Sequence, residues 1–220
     1  MAHILSKSKY IRGLQCVRAL YFDVYCPKAA RYSAETLAKF RGGRDFERRY
    51  KSLFADGIDI SRQLGSRMER YPSLTMQLLL SDGDVTLFEA GFLHDGVLIL
   101  ADVVRKSADG GLIINEVKNS TAVSDTFRRD VALQHYVVSH AIADSGLMLN
   151  EFSVVYNDGS DGFLTLDLMD ESRAEHPTIA ANIERFKDVL QDFEPQVEPG
   201  DQCTTPYECP YRHLCQRKNH

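Results

Sequence analysis

The sequence predicts an α/β domain, a central mixed sheet flanked by helices. Residues 85–118 alternate apolar and polar with a period of two, in three runs parted by turn signals. The stretches before and after them place apolar residues at helical spacing. A chain of 220 residues that is 44% hydrophobic can bury one sizeable core. We expect a single unit over 1–220. It has a helical part over 1–82, a sheet and helix over 83–168, a helix over 169–198 and a cysteine-rich tail over 199–220.

Ser6 or Ser8 can cap a first helix through "KYIRGLQCVRALYFDVY", where Leu14, Val17, Leu20 and Tyr21 fall at helical spacing and Pro27 ends the segment. Ser33 caps a second helix, "SAETLAKFRGGRDFERRYKSLF", which Gly42 and Gly43 weaken or break. Pro72 is expected to break the next helical stretch, and "SLTMQLLL" suits either a short helix or a strand. "VTLFEAGFL", "GVLILADVV" and "LIINEVK" are the three strands. Helix follows in "DTFRRDVALQHYVVSHAIADSG", with Val131, Leu133, Val137, Val138 and Ile142 on its apolar positions and Gly146 as the stop. "EFSVVYN" and "GFLTLDL" form another hairpin. Residues 169–193 are helical, with Pro177 starting or interrupting a helix. The tail is irregular.

No apolar run is long enough to span a bilayer, and the first residues carry no secretory pattern. We therefore expect a cytoplasmic protein in which disulfides are rare. Three of the five cysteines crowd the last eighteen residues, which points to metal. The net charge of −5 speaks against a nucleic-acid partner, but its distribution does not. The first 70 residues hold 15 Lys+Arg against 7 Asp+Glu, and the rest hold 11 against 24. That asymmetry suits phosphate binding as well as it suits a solvated helical surface.

The turns set a register. Asp95-Gly96 is a two-residue hairpin signal, so His94 opposes Val97 and Glu89 opposes Asp102. A three-residue loop over Ala108, Asp109 and Gly110 sets Ser107 opposite Gly111 and Asp102 opposite Glu116. Glu89, Asp102 and Glu116 then form one row, with Lys118 a step further on the same face. The face is otherwise apolar, through Leu87, Leu100, Val104 and Ile114. Carboxylates directly opposed across strands destabilise a sheet and raise one another's pKa. A hard divalent cation, Mg²⁺ or Mn²⁺, removes the conflict. Lys118 beside it could hold a water, a layout for metal-assisted phosphodiester hydrolysis.

"LADVVRKSADGGLIINEVKNS" resembles the PD-(D/E)XK nuclease signature, an Asp on one strand and E-x-K on the next, here Asp102 and Glu116-Val117-Lys118. "DVALQHYVV" is similar to the Gln-containing helix of the RecB-like branch. Gln134 matches, and Tyr136 stands two residues on where the family's Tyr stands four on. The resemblance implies a restriction-endonuclease-like core. It implies cation ligation by Asp102 and Glu116, with the Val117 carbonyl as a further ligand. A third carboxylate would come from Glu47 on "GGRDFERRY" or from Glu89. Gln134, Tyr136 and the basic residues Arg44, Arg48 and Arg49 would hold single-stranded DNA or duplex ends.

"SKSKYIRGLQCVRALYF" and "CTTPYECPYRHLC" resemble the iron–sulfur members of that branch, with Cys16, Cys203, Cys209 and Cys215 as ligands of a [4Fe–4S] cluster. The same four thiolates suit a structural zinc, which His213 and His3 could complete. Either would tie the N-terminal helices to the tail. The resemblance implies protein partners in repair, defence or CRISPR adaptation. The rival expectation is a non-catalytic nucleic-acid-binding or assembly module that keeps the fold and the metal.

Overall fold

A computed structural model describes residues 5–160, 162–191 and 193–216, apart from the side chains at 39 and 40. It is an α/β architecture built on an open, mixed seven-stranded sheet flanked by helices.

Three strands form its centre: β3 (Val85–His94), β4 (Val97–Lys106) and β5 (Gly111–Lys118), numbered after two short strands, β1 (Leu5–Ser6) and β2 (Ile58–Asp59). Both turns behave as their residues dictate. Asp95 and Gly96 take φ of 50° and 73°, as a tight hairpin requires, and His94 pairs with Val97. Gly110 takes φ 88° and Ser107 N donates to Gly111 O at 2.9 Å. The expected register therefore holds, with Phe88 opposite Val103 and Val103 opposite Asn115. The sheet continues through β6 (Met148–Asn157), parallel to β5, and β7 (Phe163–Asp167), antiparallel to β6.

The edge of β4 that faces β5 is shared. β5 pairs with Val103–Lys106, and β1 pairs in parallel with Val97 and Leu98. Asp102 lies in the interval between these two partners.

The first predicted helix is two. Ser6 caps α1 (Lys7–Gln15), and Cys16 then adopts an extended φ of −164° before α2 (Val17–Tyr25) begins. Ser33 caps α3 (Ala34–Lys51) as expected, but the helix runs unbroken through Gly42 and Gly43 because packing of Phe46 and Tyr50 outweighs the propensity cost. Between α3 and β3 lie α4 (Ile60–Leu64) and α5 (Tyr71–Leu79). Pro72 opens α5 rather than breaking a helix, since a first-turn residue needs no N–H partner. Ser124 caps α6 (Asp125–Ala141). α7 (Met169–Ala174) is followed by α8 (His176–Gln191), whose second residue is Pro177, and the tail ends in α9 (Arg212–Gln216).

The main core buries Leu87, Phe92, Ile114, Leu133, Val137, Ile183 and Phe186 between the sheet and α1, α6 and α8. A smaller core, with Phe46, Tyr50, Phe88, Val103, Val117 and Val155, joins α3 to the other face. Among the described residues no helix is long and apolar enough to cross a membrane.

Four histidines gather where β3 ends against α6 and α8. His94 stacks on His140 at 4.5 Å, and His135 Nδ1 lies 2.7 Å from His176 Nε2. Burial, then His176, Arg173 and His140, push His135 down to about 4, with Asp167 opposing. Its folded pKa thus lies below its unfolded value of about 6.5. The native state then binds fewer protons than the unfolded state between these limits. Stability should be full above about pH 6.5 and fall by roughly 3 kcal/mol as pH drops to about 4. Urea unfolding of wild type and His135→Asn across that range checks it, the variant showing the shallower loss.

Candidate metal centre and lysine–carboxylate site

Asp102 is where the sheet departs from regular pairing. Glu89, opposite it, takes φ 54°, a left-handed value that non-glycine residues rarely adopt. Leu87 and Ala90, three residues apart, both enter the main core, as do Val104 and Ala101. Alternation therefore changes phase on both strands at this one point. The kink aims the acids at α3. Single carboxylate oxygens of Glu47, Glu89 and Asp102 lie within 4.8 Å of one another.

The predicted row is corrected by this geometry. Glu89 and Asp102 do converge, but their third member is Glu47 and not Glu116. Lys51 Nζ bridges Glu47 Oε1 at 2.5 Å and Glu89 Oε1 at 2.6 Å, so the trio already attracts a cation. Burial, followed by Glu116, raises the Asp102 carboxyl well above the usual range, while Lys7 and Lys118 oppose the rise and Glu47 adds to it. Burial likewise raises Glu89, against Lys51. Three hard oxygen donors, two of them with raised pKa values, fit Mg²⁺ or Mn²⁺.

Asp102 also reaches β5. Its Oδ2 accepts the Val117 N–H at 2.7 Å. Val117 thus meets the site through its N–H, on the edge of β5 that faces Asp102.

Glu116 is 1% exposed and anchors a separate network. Its Oε1 accepts from Lys118 Nζ at 2.6 Å and Lys7 Nζ at 2.7 Å, and its Oε2 accepts from Gln134 Nε2 at 2.8 Å. Lys118 also reaches Asp130 Oδ2 at 2.7 Å. Despite burial, Lys118 and Lys7 hold Glu116 well below the usual carboxylate range. Asp130 Oδ1 and Gln134 Oε1, four residues apart on α6, are buried with no donor among the described residues.

No protein-family model matches the chain, and no curated protein matches it. The site must be read from its own chemistry.

Gln134, on α6, reaches the site through its bond to Glu116. Tyr136 does not join it. Two residues on along a helix is about 200° around the axis, and Tyr136 is buried against His94, His140 and His176. It offers no stacking face to a strand. Arg44, Arg48 and Arg49 lie exposed on α3, the helix that carries Glu47. Arg48 pairs with Asp45 at 2.9 Å, and Arg49 lies over the Phe46 and Phe163 rings. Lys7 and Asp130 were not foreseen. Asp130 had one available signal, its position four residues before Gln134 on the same helix face.

Cys16, Cys203, Cys209 and Cys215 line one small apolar cavity with Ala19, Phe22 and Tyr211. Cys26 is exposed and apart from them. Burial raises the Cys209 and Cys215 thiols, and Cys16 and Cys203 add to the rise in both. Four soft donors converging in an apolar setting fit a thiolate-bound metal. Among the described residues no three sulfurs lie within 4.8 Å of one another. A zinc ion bound at about 2.3 Å would hold them about 3.8 Å apart. A cubane suits a wider set, because each sulfur binds a different iron. His213 lies on α9, and His3 falls outside the described residues.

Hydrogen bonds hold the tail against the first helices. Gln15 Nε2 donates to Gln202 O and Tyr207 O at 2.8 and 2.6 Å, and Tyr211 Oη donates to Asp23 Oδ1 at 2.6 Å. Arg18, 5% exposed, reaches Glu194 Oε1 at 2.7 Å.

Proposed function

We propose that this chain is a metal-dependent DNA nuclease with a restriction-endonuclease-like core of the PD-(D/E)XK, RecB-like kind, stabilised by a [4Fe–4S] cluster. One observation carries the reading. A half-buried Asp102, opposite the kink at Glu89, converges with Glu47 and Glu89, while the next strand presents the Glu116–Lys118 pair braced by Gln134.

Asp102, Glu47 and Glu89 hold the cation. When bound, it polarises a phosphoryl oxygen and lowers the pKa of a water. Lys118, kept protonated by Asp130 and Glu116, orients the attacking water. Glu116 and Gln134 fix the position of Lys118. The arginines of α3 bind the strand through its phosphates, which gives affinity without sequence preference. Cys16, Cys203, Cys209 and Cys215 hold the cluster, which ties α1 and α2 to the tail. The substrate is single-stranded DNA or duplex ends, in the cytoplasm, within repair, defence or CRISPR adaptation.

The test is cleavage of single- and double-stranded DNA with Mg²⁺ or Mn²⁺ by wild type and Lys118→Ala. Metal-dependent cleavage by wild type is expected, with a rate at least about 10²-fold lower in the variant. Equal rates would overturn the assignment. Saturation of both Glu116 oxygens by protein donors favours a second reading, a non-catalytic binding module, and DNA binding without metal-stimulated cleavage would establish it. Anaerobically purified protein should contain iron and absorb near about 400 nm, and zinc without iron would overturn the cluster.

A further inference from the structure

We infer that Lys7 is a second lysine of this site and binds a non-bridging oxygen of the scissile phosphodiester. The inference rests on the nuclease reading and extends it to a residue on the first helix.

Lys7 is placed by backbone, not by chance contact. Leu5 N donates to Gly96 O at 2.9 Å, Leu5 and Ser6 pair with Val97 and Leu98, and Ser6 caps α1. Lys7 therefore leaves the sheet in the interval of β4's edge where Asp102 lies. Its ammonium meets Glu116 Oε1 on the atom that Lys118 already holds.

The two lysines differ in what they leave unused. Lys118 Nζ spends two N–H groups, on Glu116 and Asp130. Lys7 Nζ spends one on Glu116, and its distance to Asp130 Oδ2 is 3.8 Å, beyond a hydrogen bond. Two Lys7 donors thus have no acceptor among the described residues, and the side chain is 25% exposed beside a glutamate at 1%. Glu116 keeps a donor on each oxygen without Lys7, from Lys118 on Oε1 and Gln134 on Oε2. An ammonium with spare donors next to the water-orienting lysine suits an oxyanion entering from solvent. Charge-assisted donors of this kind act most strongly where water is excluded.

Wild type, Lys7→Gln and Lys7→Arg are compared in single-turnover cleavage with Mn²⁺. Lys7→Gln should lose about 10²-fold in rate while still unfolding cooperatively well above the assay temperature, and Lys7→Arg should recover at least about tenfold of that loss. In wild type, the Lys7 amine should become protected from reductive methylation when a single-stranded oligonucleotide is added with Ca²⁺. That measurement decides the matter if the variants do not fold. Cleavage by Lys7→Gln at the wild-type rate, or undiminished methylation in the presence of the oligonucleotide, overturns the role of Lys7 and leaves the nuclease reading standing. A wild type that does not cleave overturns that reading and this inference with it.

Discussion

Asp102→Asn is expected to abolish metal-stimulated cleavage, by about 10³-fold or more, while making the metal-free protein more stable. The two signs have one cause. The Asp102 carboxyl is buried beside Glu116 and Glu47, and its pKa is raised. A raised carboxyl binds more protons folded than unfolded, so its ionisation opposes folding progressively as pH rises above the unfolded value. Asparagine keeps an oxygen for the Val117 N–H and removes the charge. We expect about 1 kcal/mol of added stability at neutral pH without metal. Added Mn²⁺ should reverse the ranking, since a ligand at about a hundredfold its Kd stabilises only the protein that binds it, by about 2.7 kcal/mol. Melting curves of both proteins with chelator and with Mn²⁺ check this. Loss of stability in the variant without metal would contradict the account of Asp102, and an equal Mn²⁺ response in both would remove Asp102 from the cation site.

Glu116→Ala should be the most destabilising single change in the site, by about 3–5 kcal/mol. The glutamate accepts from Lys118, Lys7 and Gln134 at once. Removing it leaves two ammoniums facing each other and a buried amide without its acceptor. Its lowered pKa means that this contribution is present above the usual glutamate range and is lost as pH falls below it. Adding Lys118→Met should relieve part of the damage, with a coupling of about 1–3 kcal/mol in the double-mutant cycle. Urea midpoints of the two single variants and the double variant measure it. Strict additivity would show that the network does not act as a unit.

Much of the sheet was legible because its signals are local. Asp95-Gly96 and Gly110 set two turns, and the turns set the register that brings Glu89 and Asp102 together. Ser33 announced a helix start. What stayed hidden depends on distance along the chain or on broken periodicity. Lys7 meets Glu116 across 109 residues of sequence, and no pattern near Lys7 foretells that contact. The left-handed Glu89 breaks the two-residue alternation on which face assignment relied, so Glu47 took the place expected of Glu116. Cys16 looked like one more residue in a continuous helix, and the tail packed against it explains why the helix stops there.

That stop makes α1 a short rigid lever. Its nine residues span about 13 Å, with Lys7 at one end and, just past the other, the thiol that faces the tail. Gln15 grips the tail through two of its carbonyls, so the lever has a fixed pivot at the sulfur end. The fit of an ammonium against Glu116 is thereby set in part from the far end of the chain, and the two sites share one mechanical element.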